Sequence, residues 1–227
     1  MIQRGTNTIC VLIATLVLIV TGAGLILLLE WNNPATLGEM PLGQKILNGV
    51  FQSVTVRTAG FASIDQAALT DGGKAVSLVL MLIGGSSGST AGGIKTITFL
   101  VLVLFIFARA RGKKTVTVFH RNVPHDRIMD AATIVALVVG LMFAGAIFIT
   151  ATSPIGLTDA LFESASALAT VGLTAGATPL LSIPAQIMII ILMYFGRVGI
   201  LTISLGFLMG DKAQDRFRYA DTNLLIG

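Results

Sequence analysis

One apolar segment, Ala75–Phe107, constrains the fold of this chain most, because it is too long to cross a membrane once. It contains a single charge, Lys95, and as one helix it would reach about 50 Å, whereas the hydrocarbon core of a bilayer is about 30 Å thick. Its middle, Gly84–Gly93, is rich in glycine and serine, which favour a break in a helix. Irregular backbone survives in a membrane only where protein surrounds it or where it lines a water-filled cavity. The segment therefore predicts a membrane helix broken by an intramembrane loop, and with it a pathway.

Three further apolar segments are long enough to cross a membrane: Ile9–Leu29, Ala131–Thr152 and Ile183–Met209. Only the last contains a charge, Arg197, and charged residues make up 11% of the chain, against about 25% in soluble domains. Ile9–Leu29 could pass for a signal peptide, but it is too long and no small-x-small cleavage site follows, so we interpret it as a span. We predict an all-α membrane protein with four crossings. The single cysteine, Cys10, excludes an intrachain disulfide and a cysteine-based zinc site.

Two shorter segments, Ile46–Val56 and Thr158–Ala169, lie between the spans and suffice for helices of about 16–18 Å, half a membrane. A similar tetrapeptide follows each of them, Thr58–Phe61 in the first case and Thr170–Leu173 in the second. Surface helices that end in ordinary glycine turns are the alternative interpretation. The order span, half-helix, Thr-x-Gly, span occurs twice, however, at a period of about 112 residues. We predict two repeats of span, re-entrant pore helix and span (M1–P–M2), an arrangement that resembles the pore fold of potassium channels.

The distribution of basic residues sets the orientation. The loop between the second and third spans and the C-terminal end are rich in lysine and arginine, and Arg4 precedes the first span, whereas the connections with the half-helices hold only Lys45, Arg57 and Lys74. The positive-inside rule places both termini and the central loop, 109–128, in the cytoplasm, so both half-helices enter from outside. The basic surplus then needs no nucleic-acid partner. The cytoplasmic basic residues are Arg4, Arg109, Arg111, Lys113, Lys114, Arg121, Arg127, Lys212, Arg216 and Arg218.

The two Thr-x-Gly segments have the chemistry of a cation site. A dehydrated cation needs oxygen atoms in place of its water, and backbone carbonyls supply them where the chain is extended and turned inward. Glycine allows the backbone angles required, and the preceding half-helix points its carboxyl end, with partial negative charge, at the site. We predict that a cation binds the backbone carbonyls of Thr58, Ala59, Gly60, Phe61, Thr170, Val171, Gly172 and Leu173.

These motifs resemble those of one family. Thr170–Leu173 resembles the filter of potassium channels, and Gln52–Phe61 is close to the third filter of the Trk/Ktr/HKT cation transporters. The stretch from Gly84 to Thr96 looks like the intramembrane gating loop of that family. Tyr194–Gly199 is similar to its last helix, which carries an arginine facing the pore. The resemblance covers nearly the whole chain.

The resemblance implies which part of such a transporter this chain is. The family has four M1–P–M2 repeats in one polypeptide, and the two present here correspond to the third (1–108) and the fourth (129–210), with a cytoplasmic tail at 211–227. Two repeats are then missing, whether the chain is a fragment or the product of a split gene, and a complete pore needs all four. Gly60 and Gly172 would be the filter glycines, which favours potassium over sodium.

The resemblance also implies partners. The family's membrane subunit is a homodimer in the cell membrane, often controlled by a cytosolic ring that binds nucleotides. We therefore expect membrane lipid, the missing repeats, a second copy and a cytosolic nucleotide-binding regulatory subunit as partners, and no cofactor besides the transported ion. The basic central loop and the charged tail Asp211–Asp221 are the candidate contact surfaces.

The glycine-rich loop 84–93 would be the gate beneath the filter, with its hydroxyls binding the backbone groups that the break frees. A small-residue packing patch is one alternative; a phosphate-binding loop fails, because Ile94 separates glycine from Lys95, which a Walker motif places directly after glycine. Arg197 would form an electrostatic barrier, anchor the loop, or pair with a carboxylate in the missing half; Lys95 would take part in gating or extend to the membrane surface. The predicted gate residues are Gly84, Gly85, Ser86, Ser87, Gly88, Ser89, Thr90, Gly92, Gly93, Lys95 and Arg197.

The remaining polar residues leave few other functions. Glu163 either concentrates cations at the outer mouth or is a carboxylate satisfied within the fold. His120 and His125 have no cysteine or carboxylate cluster around them, so we expect them to be solvated or to face a partner. We expect no enzyme: an intramembrane serine protease with Ser87 as nucleophile would need a base nearby, and both histidines lie outside the spans. Potassium transport is the main prediction, with a sodium/potassium-coupled symporter and a non-conducting assembly subunit as alternatives.

Overall fold

The computed structural model describes residues 2–86, 89–113, 115–118 and 121–198, which are mainly helical. Ser87, Gly88, Lys114, His120, the end of the fourth span from residue 199 onward and the tail 211–227 lie outside the described residues. The helices are α1 (Ile2–Glu30), α2 (Leu42–Thr55), α3 (Asp71–Leu82), α4 (Thr96–Ala110), α5 (His125–Thr152), α6 (Leu157–Leu168) and α7 (Ile183–Val198). Two short strands, β1 (Thr117–Val118) and β2 (Arg121–Asn122), lie between α4 and α5, and a 3-10 turn, Thr178–Leu180, precedes α7.

The helices follow the predicted two-repeat order, with α1, α2 and α3/α4 in the first repeat and α5, α6 and α7 in the second. In the described part of the chain, α1 (from Asn7) and α5 are long and apolar enough to cross a membrane alone. The predicted span Ala75–Phe107 is divided into α3 and α4, of 12 and 15 residues. The predicted fold class is confirmed, including the broken helix.

The strands β1 and β2 depart from the all-α prediction. They pair antiparallel as a small hairpin in the basic central loop, beside the buried Val116. The sequence at 115–118 alternates threonine and valine, whose branched side chains fit a pleated strand better than a helix. The hairpin lies outside both repeats, so it leaves the pore fold unchanged.

The half-helices begin earlier than predicted. The sequence analysis placed the start of the first at Ile46, but α2 begins at Leu42, because Pro41 occupies the N-cap position with a φ of −64° that suits a helix start. α6 begins at Leu157, one position before the predicted start. With 14 and 12 residues, the two helices extend about 21 and 18 Å, which is well short of a full crossing.

Apolar side chains cover the outside of the bundle, and polar side chains lie within it. In α1, Leu12, Leu16 and Val20 are each more than 60% exposed, as expected of a span that faces lipid or further protein. Both pore helices have buried polar side chains. They are Gln52, Ser53 and Thr55 in α2, and Glu163, Ser164 and Ser166 in α6.

The second pore helix, α6, joins the two repeats. It packs against α5 and α7 of its own repeat and against α3 of the other, and its Phe162 is fully buried. An ion pair crosses the contact between α3 and α6, with Lys74 Nζ at 2.7 Å from Asp159 Oδ1. The two repeats therefore form one packed unit.

Glu30 fixes the outer end of α1 to the start of the broken helix. Its carboxylate is fully buried and accepts hydrogen bonds from Asn33 Nδ2 (2.7 Å), Thr36 Oγ1 (2.8 Å) and both N (3.0 Å) and Oγ1 (2.6 Å) of Thr70. Thr70 is also the N-cap of α3, where its hydroxyl accepts from Gly73 N. One side chain thus connects the first span, the outer loop and α3.

Candidate functional site

The two Thr-x-Gly loops have the same unusual backbone. Thr58 and Thr170 have φ angles of 70° and 56°, and they are the two non-glycine residues with positive φ in the described chain. Gly60 and Gly172 follow with φ angles of 77° and 90°. Each left-handed non-glycine residue costs roughly 1–2 kcal/mol, so the same strain occurs at the same place in both repeats.

The amides of both loops face back toward their pore helices. Ala59 N and Gly60 N donate to Thr55 O at 3.0 and 3.1 Å, and Val171 N donates to Ser166 O at 2.8 Å. Because the amides are turned to the helix ends, the carbonyls between them are free to point away from the helices.

The two loops meet at Gly60. A Cβ atom on Gly60 would lie only 2.1 Å from Val171 O, so no other residue fits there without a shift. A Cβ atom on Gly172 would meet no atom within 4 Å. The first filter glycine is therefore required for close approach, whereas the second borders open space.

The carbonyls of Phe61 and Leu173 differ from the other predicted filter carbonyls, because each accepts a side-chain hydrogen bond. Thr55 Oγ1 donates to Phe61 O at 2.6 Å and accepts from Phe61 N at 2.8 Å, and Ser166 Oγ donates to Leu173 O at 2.6 Å. Both oxygens are held by hydroxyls of the pore helices, which the Thr-x-Gly motif alone does not reveal. Within the described part of the chain no hydrogen bond reaches the other predicted carbonyls, those of Thr58, Ala59, Gly60, Thr170, Val171 and Gly172.

An open cavity of about 650 Å³ lies beside the second loop. Its lining includes Thr170–Leu173 and one face of α7, on which Ile189, Met193 and Arg197 follow at intervals of one helical turn. Arg197 therefore borders the same space as the second filter.

The break between α3 and α4 is closed at its base by backbone hydrogen bonds. Gly84 N donates to Ile94 O and Ile94 N to Leu82 O, both at 2.8 Å, and Thr96 N donates to Gly85 O at 3.1 Å. Thr96 Oγ1 donates to Gly84 O at 3.0 Å, so this carbonyl, freed by the break, is bound by Thr96 and not by the loop serines that we expected. Gly84 and Gly85 thus belong to a fixed base.

Two basic side chains bind the tip of the intramembrane loop, residues 89–93. Arg197 Nη1 donates to Thr90 O at 2.8 Å, the contact that the anchor interpretation requires. Lys95 Nζ donates to Ala91 O and, at 3.3 Å, to Ser89 O, so its side chain folds back on the loop. The gating role of these residues stays a prediction.

The sequence analysis missed Arg57 as a site residue. Arg57 Nη2 donates to Gly84 O at 3.3 Å and to Thr96 Oγ1 at 3.2 Å, which places a charge at the break; its Nε is buried and has no partner in the described chain. We counted it only among the basic residues of the outer connections. The available indication was a charge directly before Thr58 at membrane depth, where charges usually mark function.

Glu163 is a carboxylate satisfied within the fold, one of the two interpretations left open. It is buried, and its two oxygens accept from Thr174 Oγ1, from Ala175 N at 3.1 Å and from Thr178 Oγ1 at 2.9 Å. These bonds tie the chain that follows the second filter back to α6.

Comparisons with known proteins find relatives that match almost the whole chain. A family model described as TrkH, cation transport protein, matches residues 4–216. The Ktr system potassium uptake protein B of Bacillus subtilis is 36% identical over 221 residues, 97% of this chain and 49% of that protein. The potassium/sodium uptake protein NtpJ of Enterococcus hirae is 34% identical over 215 residues, 92% of this chain and 48% of that protein. The chain therefore spans about half the length of these relatives.

A solved structure has the same fold. The crystal structure of the potassium transporter TrkH from Vibrio parahaemolyticus matches with a TM-score of 0.68 and 21% identity, over 91% of this chain and 44% of that one. Identity this low supports a common fold and no more. The likeness agrees with the arrangement of repeats described above.

Proposed function

The chain belongs to the TrkH family of cation transport proteins, and we propose that it contributes two of the four pore loops through which potassium crosses the membrane. The observation that carries the proposal is the group of filter carbonyls that no hydrogen bond reaches in the described chain. They belong to two loops that meet where Val171 O approaches Gly60. Such oxygens can replace the water of a dehydrated cation.

The filter proposed here is shorter than the sequence motif suggests. With the carbonyls of Phe61 and Leu173 engaged by pore-helix hydroxyls, three carbonyls remain in each loop, Thr58–Gly60 and Thr170–Gly172. Two further loops of the same kind would give each level four oxygens. We propose potassium as the ion because both filter positions carry glycine, and sodium is the competitor that a test has to include.

The proposed assembly needs partners. We infer that two further repeats complete the pore, because a pore lined on two sides exposes its ions to lipid. We also propose a homodimer and a cytosolic nucleotide-binding regulatory partner; the relative named after a Ktr system supports a system of several components. The chain is a membrane protein, and we propose that both termini and the basic loop with its hairpin face the cytoplasm.

The test is potassium uptake in cells that lack their own uptake systems. The chain is produced together with the other two repeats, and rubidium uptake and growth at low potassium are measured. We expect both to require the two halves together. Gly172→Ser should reduce the preference for potassium over sodium, because a Cβ there has room but the φ of 90° and the oxygen positions depend on glycine.

Gly112 offers a matched control for this test. It also has a positive φ, 70°, and open space at its Cβ, but it lies in the central loop. Gly112→Ser therefore carries the same backbone penalty without touching the filter, and its selectivity should equal that of the unmodified protein. Unchanged selectivity in Gly172→Ser, or an equal change in both variants, would contradict the filter assignment.

A further inference from the structure

The tip of the intramembrane loop is pressed against the start of the second filter. A Cβ atom on Gly92 would lie 2.8 Å from both Ala169 O and Thr170 Oγ1. A Cβ atom on Gly93 would lie 2.9 Å from Leu82 O and 3.3 Å from the Cβ of Ala169. Real Cβ atoms do not approach backbone this closely, so the two glycines are what allow the contact.

One hydrogen bond joins the two segments. Gly92 N donates to Thr170 Oγ1 at 2.9 Å, across 78 positions of sequence. Thr170 is the first residue of the second filter and one of the two strained threonines. Thr58 has the matching place and the matching strain, but in the described part of the chain its hydroxyl has no partner.

The base of the loop and its tip differ in how they are held. At the base, the bond from Gly84 N to Ile94 O belongs to a short backbone ladder between the end of α3 and the start of α4. At the tip, the contacts are made by side chains, namely Arg197 to Thr90 O and Thr170 to Gly92 N. Displacement of the tip away from the filter would break the bond to Thr170.

We propose that Thr170 is a positioning residue that latches the intramembrane loop to the second filter, so that the filter and the loop change position together. If the loop is displaced, the strained Thr170 loses its hydrogen-bond donor, Gly92 N. If the filter becomes disordered, Gly92 N loses its acceptor, Thr170 Oγ1. Coupling of this kind is reciprocal. Cation occupancy that orders the filter therefore also holds the loop. The latch goes beyond the proposed function, and only its response to potassium rests on that function.

Hydrogen exchange at the Gly92 amide tests the latch directly. In the full-length protein with all repeats, Thr170→Val keeps the side-chain shape and removes the acceptor. We expect the Gly92 amide to exchange about 2- to 10-fold faster, the range that one neutral hydrogen bond gives. Thr170→Ser keeps the hydroxyl and should restore protection. Thr58→Val is the matched control, because it makes the same change at the same backbone angle without a loop partner.

Two outcomes would overturn the latch: an unchanged Gly92 amide in Thr170→Val, or an equal acceleration in Thr58→Val. Should Thr170→Val fail to fold, Gly92→Ala makes the same test from the loop side. Its Cβ displaces the tip from Thr170, and the amide of residue 92, which alanine keeps, should then exchange faster.

The coupling is tested by repeating the exchange in potassium and in a large organic cation. In the unmodified protein, potassium should slow exchange at Gly92, and Thr170→Val should remove that difference. If potassium leaves the unmodified protein unchanged while rubidium uptake is intact, the coupling is wrong. If the protein takes up no rubidium, the proposed function fails, and the latch still stands or falls on the Thr170→Val exchange alone.

Discussion

Removing the Glu30 carboxylate tests how the first span is fixed to the broken helix. Glu30→Ala leaves four donor groups, one of them on the buried Thr36 and the others in part-buried bonds, without their acceptor. The Thr36 hydroxyl can turn to Asn33 O, 3.5 Å away, and Asn33 Nδ2 keeps its bond to Ala68 O. The Thr70 amide has no such alternative, which costs about 1–3 kcal/mol. With about 0.8 kcal/mol for the one buried methylene that is lost besides the carboxylate, we expect a loss of about 2–4 kcal/mol.

Glu30→Gln separates the acceptor from the charge. The glutamine oxygen can keep both bonds from Thr70, but its amide then faces the donors of Asn33 and Thr36. The Thr36 hydroxyl can turn and accept, whereas Asn33 cannot flip without losing its bonds with Ala68 O and Ala35 N. About one hydrogen bond is lost, so we expect a loss of about 1 kcal/mol.

The measurement is denaturant-induced loss of helical circular dichroism in detergent, on the protein assembled with its other repeats. Glu39→Ala is the control, because Glu39 is exposed and close in sequence. The unfolding midpoint should fall in the order Glu39→Ala, Glu30→Gln, Glu30→Ala. If the Glu30→Ala midpoint equals that of the control, the Glu30 carboxylate does not stabilise the fold. If the alanine and glutamine variants have equal midpoints, the bonds that glutamine can keep from Thr70 contribute nothing to stability.

Two further predictions concern the filter and the break. Ser166→Ala releases Leu173 O, so this carbonyl can turn to the ion. Competitive rubidium and sodium uptake should then show lower selectivity. Ser164→Ala removes a buried hydroxyl that has no partner in the described chain, and it should leave the selectivity unchanged. Arg57→Gln removes the charged donor at the break, and resting rubidium uptake should rise, with partial recovery in Arg57→Lys and no change in Arg109→Gln. Equal selectivity in Ser166→Ala and Ser164→Ala would contradict the first prediction. Equal resting uptake in Arg57→Gln and Arg109→Gln would contradict the second.

The broken helix and the repeats could be predicted because local physics determines them. An apolar run too long for one crossing, with glycine and serine in its middle, has few other solutions inside a membrane. The break falls between Leu82 and Thr96, as the sequence analysis placed it. The Thr-x-Gly repetition likewise located both loops, since a half-helix and a left-handed turn are short-range features.

The contacts within the site could not be predicted, because they join residues far apart in sequence. Thr170 and Gly92 are 78 positions apart, and Glu30 and Thr70 are 40 apart. The direction of the Leu173 carbonyl depends on a hydroxyl of α6 that a turn motif does not include. Arg57 looked like an outer basic residue because a charge count does not reveal where a side chain points.

The glycines of the intramembrane loop have a different meaning in the structure from the one that composition suggests. In the sequence they indicate a flexible gate. In the fold, Gly92 and Gly93 allow backbone to touch Ala169 and Thr170, and a Cβ on Gly196 of α7 would lie 2.0 Å from Leu168 O. Alanine at these positions would displace the loop or α7 from the filter more than it would stiffen them. The loop and the filter are therefore packed against each other, and neither can move far without the other.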